Sequence, residues 1–170
     1  FPASAAASRG VDGALSHAPA IAAGRRALAS QMVGAATQML EDTLVYVGER
    51  RQYGRAIGSF QTVKHRLADV KVAITAARAT IETAWTHADD EEASLLAVAA
   101  KCLAGRAQRL ASTHCFQVHG GIAFAVEHGF QQWVRRGLLL DLLLGDESRL
   151  TKRLGRELVG QGYSLIPVTR

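Results

Sequence analysis

Eight apolar residues between positions 60 and 85 recur at steps of three and four almost without a break: Phe60, Val63, Leu67, Val70, Ile74, Ala77, Ile81 and Trp85. A strand alternates its faces every two residues, so this stripe is one side of an amphipathic helix. An apolar stripe of that length has to be covered by other elements of the same kind. The spacing predicts a helix over about 59–87, with Ser59 as its N-cap.

Two further long segments supply the cover. The first runs over about 19–50. Pro19 suits a first helical turn, and Leu28, Met32, Ala36 and Leu40 follow at helical spacing. It ends near Tyr53-Gly54, where glycine offers a C-terminal cap. The other runs over about 90–118. Asp89, Asp90, Glu91 and Glu92 gather at its start, where the helix dipole favours negative charge. Leu96, Ala99, Leu103, Ala107 and Leu110 mark its buried face, and His119-Gly120-Gly121 stops it. Two shorter helices are expected over about 130–143 and 148–160.

Residues 1–18 are rich in Ala, Ser and Gly without a period and read as a linker or the end of a preceding domain. Residues 19–170 then form the folded domain. No useful period-2 alternation occurs, so strands are not expected. The fold class is all-α: an up-and-down four-helix-type bundle with additional short C-terminal helices.

Composition narrows the function classes. The chain has 170 residues, 48% hydrophobic and 21% charged, which suits one globular domain rather than a disordered segment. Cys102 and Cys115 lie thirteen residues apart on one expected helix, roughly 20 Å at 1.5 Å per residue, too far to bridge. Two free thiols fit a reducing compartment, so a cytoplasmic location is expected. No Cys/His spacing suggests a metal site. The longest dense apolar stretch, Leu138 to Leu144, is short for a membrane span and contains Asp141. The net charge of +5 would suit nucleic acid or a phosphate-rich ligand. The basic residues lack the interleaved aromatics of a base-stacking surface, which disfavours nucleic acid. The chain does not begin with Met, so residue 1 is not expected to be a natural start.

Two segments carry chemistry. Glu49-Arg50-Arg51-Gln52-Tyr53-Gly54-Arg55-Ala56-Ile57-Gly58-Ser59-Phe60-Gln61 joins the first two long helices. Arginines beside a glycine turn and a helix N-terminus make a natural anion site, or else an ordinary basic turn in solvent. Gln117-Val118-His119-Gly120-Gly121-Ile122-Ala123-Phe124 follows the third helix. Its paired glycines permit a close backbone approach, or serve as a helix stop.

In this order and spacing the two segments resemble the acyl-CoA dehydrogenase family. The first motif reads Arg50-x-x-Tyr53-Gly54, Ile57, Phe60-Gln61, then Leu67-Ala68-Asp69. The second reads Gln117-x-His119-Gly120-Gly121, then Glu127 and Arg135. The likeness extends from about Ile21 to Gly160. It implies a flavoenzyme that binds FAD and oxidises an acyl-CoA to the 2,3-enoyl-CoA, in fatty acid or steroid degradation. The helical C-terminal domain of such enzymes builds the core of a homo- or hetero-oligomeric dimer of dimers. By position, Arg50 would bind the FAD pyrophosphate, flanked by Gln52 and Tyr53. Ile57 and Phe60 would pack on the adenosine side, and Gln117, Gly120 and Gly121 would line the other wall.

The resemblance also implies a glutamate base, and here the sequence departs from the family. Most members carry it in a Glu-Gly-Thr loop after the second motif; this chain has Leu144-Gly145-Asp146. A minority carries it just before an arginine in the first long helix; this chain has Gly24 before Arg25. Three readings stay open. Asp146 or Glu147 reaches the substrate; the base lies in domains outside this sequence; or the chain is a partner subunit beside a sister that carries the base. A DNA-binding relative and a purely structural bundle are further alternatives.

Overall fold

The computed structural model describes residues 4–89, 92–124 and 129–160, with backbone only for 4–16. Five helices carry the fold: α1 (Ser4–Glu49), α2 (Gln61–Thr86), α3 (Ala93–His119), α4 (Phe130–Leu142) and α5 (Glu147–Gly160). Short 3-10 turns cover Ile57–Ser59 and Gly120–Phe124. The all-α bundle expected from the apolar spacing is present.

The α2 stripe is the core face. Leu67, Val70, Ile74, Ala77 and Ile81 are buried, against Met32, Ala36, Met39 and Leu40 of α1 and a line of alanines on α3. Met32, Met39 and Ile74 are fully buried, each worth about 1.5–3 kcal/mol over exposure. Central α3 packs against all four other helices. That position explains a difference from the sequence reading. Five alanines on α3, Ala97, Ala100, Ala104, Ala107 and Ala111, are fully buried and let neighbouring backbones close in. Leu96, Leu103 and Leu110 are half-buried flanks rather than the centre of the face.

Three boundaries also differ. α1 begins at Ser4, not near Pro19, which lies inside the helix. Pro19 removes one backbone donor, but the surrounding alanines have the highest helix propensity. α1 ends at Glu49, and Tyr53-Gly54 forms a turn between two-residue strands, β1 (Arg51–Gln52) and β2 (Arg55–Ala56). The strands are too short to leave a period-2 signal. Ser59 is not the α2 cap: Phe60 holds that position, and Ser59 Oγ donates to Ala56 O at 2.7 Å. Asp90, Glu91 and Glu127 lie outside the described residues.

Polar contacts dock the short helices. Arg136 Nη2 donates to Gln31 Oε1 at 2.9 Å, tying α4 to α1. Gly137 sits over Gln108, where any side-chain carbon would collide with the carboxamide. Both cysteines are buried and unbridged. No described helix is long and apolar enough to cross a membrane.

Candidate functional site

The connection between α1 and α2 is built to present side chains. Arg51 and Gln52 pair with Ala56 and Arg55 in an antiparallel hairpin. Its two turn residues, Tyr53 and Gly54, both have positive φ, 53° and 77°, as a tight hairpin turn requires. Glycine accepts this freely; tyrosine does so at a cost of about 1 kcal/mol or more. The result is a Tyr53 ring that is 92% exposed, standing edge-on to Phe60 at 6.2 Å. The Arg55 guanidinium lies 4.1 Å over the other ring in the pair, Phe60. Ile57 N donates to Arg50 O at 2.8 Å, which closes the hairpin base.

Arg50, Gln52, Tyr53, Ile57, Phe60 and Gln117 line one open groove of about 540 Å³. Gly120 and Gly121 do not line it; they lie past the end of α3. Gly120 caps α3 with φ 63° and ψ −139°, a conformation nearly closed to other residues. Space around both glycines is open. The sequence reading missed Arg66, Thr62 and Tyr46, which complete the groove. Arg66 lies four residues beyond Thr62 on α2, so helical register puts both on the groove face. Among the described residues no carboxylate pairs with Arg50, Arg51, Arg55 or Arg66. The groove therefore has an unbalanced positive charge beside exposed aromatic faces.

His119 has a structural place. It is buried, stacks on Tyr46 at 4.5 Å and contacts Phe130 at 4.9 Å. Its Nδ1 lies 2.9 Å from Cys115 O. That packing fixes the α1 end of the groove to α3.

The middle of α1 meets the loop after α4. A carbon added at Gly24 would stand 2.6 Å from Leu144 Cδ1. The two positions considered for a base thus converge on one point, and neither holds a carboxylate. Leu144 has φ 56°, and Arg25 Nε donates to its carbonyl at 3.0 Å. Lys101, fully buried, donates to Asp141 O at 2.9 Å and Gly145 O at 3.0 Å. Desolvation lowers the Lys101 pKa and raises that of Asp141, 3.9 Å away. Lys101 falls in step with Ala97, Ala104 and Gln108 on α3, a register that could have marked it as buried.

Asp146 and Glu147 have other partners. Asp146 Oδ1 accepts from Arg149 N at 3.0 Å, a contact that caps α5 and holds its pKa below the usual carboxylate value. Glu147 accepts two bonds from Arg109, at 2.8 and 2.9 Å.

Residues 12–159 match the family described as acyl-CoA dehydrogenase, C-terminal domain. The chain belongs to the acyl-CoA dehydrogenase family. It is 35% identical over 130 residues to acyl-CoA dehydrogenase IpdE2 of Mycolicibacterium smegmatis, covering 76% of this chain and 40% of that protein. Among solved structures, the Tcur3481–Tcur3483 steroid ACAD variant is 33% identical with a TM-score of 0.76, over 81% of this chain and 38% of that one. The ChsE4–ChsE5 complex from Mycobacterium tuberculosis is 26% identical with a TM-score of 0.77, over 82% and 38%. The chain spans about 40% of the length of the curated IpdE2 relative. In this acyl-CoA dehydrogenase domain, the groove lies at the C-terminal end of the long first helix and the Gly24–Leu144 corner lies midway along it.

Proposed function

We propose that this chain forms part of an FAD-dependent acyl-CoA dehydrogenase that oxidises an acyl-CoA to the 2,3-enoyl-CoA. Its groove holds the pyrophosphate and adenosine side of FAD, and its helices form the oligomer core. The observation that carries the reading is the groove: guanidinium groups without carboxylate partners beside Tyr53 and Phe60. A diphosphate wants guanidinium forks, and an adenine wants an aromatic or apolar face. When bound, FAD supplies the acceptor for the substrate's β-hydrogen as hydride.

This chain's residues bind and orient. Arg50 pairs with the pyrophosphate, with Gln52 and Tyr53 flanking it. Ile57 and Phe60 pack on the adenosine. Gln117, with Gly120 and Gly121 past it, forms the far wall. The test is the flavin content of Arg50→Ala. Retention should weaken by a charge-assisted contact worth about 1.5–3 kcal/mol. Unchanged content would remove Arg50 from the site.

A second reading concerns the base, and the Gly24–Leu144 contact favours it. A proton acceptor for the substrate's α-hydrogen needs a desolvated carboxylate with a raised pKa. Leu144 and Gly24 cannot serve, Glu147 is held by Arg109, and Asp146 is solvated and pushed the wrong way. The chain is then the flavin-completing partner of a sister subunit that carries the base, as a complex of two proteins such as ChsE4–ChsE5 would allow. Anaerobic acyl-CoA should leave the flavin of the isolated protein oxidised and should bleach it once the sister is added. Bleaching without the sister would refute the second reading and leave the first intact.

A further inference from the structure

Arg26 and Arg25 are neighbours on α1 with opposite circumstances. Arg25 is 9% exposed and donates to Leu144 O. Arg26 is 6% exposed, yet its Nε and Nη1 are buried without a hydrogen-bond partner. No carboxylate pairs with it among the described residues. Its guanidinium lies over the face of Trp85, 4.9 Å from the ring centre to the guanidinium carbon. Trp85 is itself held, its Nε1 donating to Ser30 Oγ at 3.4 Å. A guanidinium taken out of water without an anion is costly, and such groups are normally paired.

Arg26 lines a recess of about 640 Å³ between the middle of α1, the residues just after α2 and the first turn of α3. Ala22, Ala23 and Ala88 give it apolar walls, and Ala93 and Ser94 bring the first turn of α3 to its edge. Glu92, at the N-cap of α3, makes no side-chain capping bond. Among the described residues Asp89 is the acidic residue on the wall, and it forms no ion pair with Arg26. A buried cation with two unpartnered nitrogens, a helix N-terminus and small apolar walls meet in one place.

We infer that this recess is a carboxylate-binding site, separate from the flavin groove, in which Arg26 is the pairing cation. The α3 first turn and the Ser94 hydroxyl supply further donors, and the alanines take a short aliphatic stem. The carboxylate comes either from a small organic acid or from an acidic residue of another polypeptide segment. The inference does not depend on the flavin reading.

The test is the unfolding midpoint of the full-length protein, with and without millimolar glutarate, for wild type, Arg26→Met, Arg26→Lys and Asp89→Asn. If a free acid is the ligand, glutarate raises the wild-type midpoint by about 2–4 °C and leaves Arg26→Met unmoved. If a polypeptide supplies the carboxylate, glutarate does nothing. Arg26→Met then lowers the midpoint, Arg26→Lys keeps most of it, and Asp89→Asn is neutral. Three results overturn the inference. Arg26→Met is as stable as wild type or more so, with no glutarate response, as for an uncompensated charge. Arg26→Met responds to glutarate like wild type. Or Asp89→Asn reproduces the loss, making Arg26 a partner of its own chain's aspartate.

Discussion

Two regions of α1 have opposite chemistry. At its C-terminal end, Arg50 and the hairpin beyond it present guanidiniums and aromatic rings to a groove with no acidic lining residue among those described. Midway along the helix, Gly24 meets Leu144, and the polar groups nearby are consumed in holding the chain: Arg25 and Lys101 grip loop carbonyls, Glu147 grips Arg109. One helix thus carries an open, cationic surface and a closed, apolar corner. On the reading proposed above, flavin holding and proton abstraction are separable properties of this fold, and this chain is assigned the first.

The comparison breaks most completely if a carboxylate can be put back. Gly24 leaves room for a longer side chain at 144, so Leu144→Glu should gain acyl-CoA-dependent flavin bleaching. The expected gain is on the order of 10²–10⁴ in rate for a positioned general base, read by anaerobic stopped flow. Gly24→Glu should fail while Leu144 remains, because the first side-chain carbon already collides with it. Equal rescue by both would mean that the corner is looser than its contacts.

The next effect concerns what closes that corner. Lys101→Met leaves the Asp141 and Gly145 carbonyls without their donor and the Asp141 carboxylate without its cation. It should cost about 3–5 kcal/mol in denaturant unfolding. A loss below 1 kcal/mol would show that the loop after α4 holds itself.

At the open end the effect is smaller and specific. Arg50→Ala should raise the flavin dissociation constant about 10–100-fold with the unfolding midpoint of the flavin-free protein unchanged. A matching loss of stability in the flavin-free protein would make Arg50 structural.

An effect of similar size lies in the core beneath the groove. Burial pushes the Cys115 thiol up to about 11. The unfolded thiol ionises first, so this group's contribution to stability is present below about 9 and is lost as pH rises from there toward 11. Wild type should lose about 2–3 kcal/mol more than Cys115→Ala over that window, measured by urea unfolding. Parallel pH profiles would contradict the buried thiol.

Much of this was legible in the sequence where side-chain size and spacing carry the information. The α2 stripe from Val63 to Ile81 is the core face because large residues at three- and four-residue steps have one way to be covered. Arg50, Tyr53, Phe60 and Gln117 were readable as a group, and they share a groove. Other features left weaker marks. The α3 face is set by alanines, and its leucines sit on the flanks, so reading by size rotated it. The 4–18 stretch is helical without an apolar period. The hairpin is two residues a side, and its Tyr53-Gly54 turn resembles a helix stop. Arg26 looks like a solvated charge in the sequence, and the register of Lys101 hints only at burial; the packing around them reveals a cation without an anion and a cation gripping two carbonyls.

The account's central claim is that this domain helps to hold flavin without supplying a base. Its most direct test is anaerobic titration of the purified full-length protein, without a sister subunit, with a series of acyl-CoA thioesters while the flavin absorbance is followed. The expected result is bound flavin whose spectrum stays oxidised throughout, with bleaching gained by Leu144→Glu. Bleaching of the unaltered protein would contradict the claim and return Asp146 and Glu147 to the reaction.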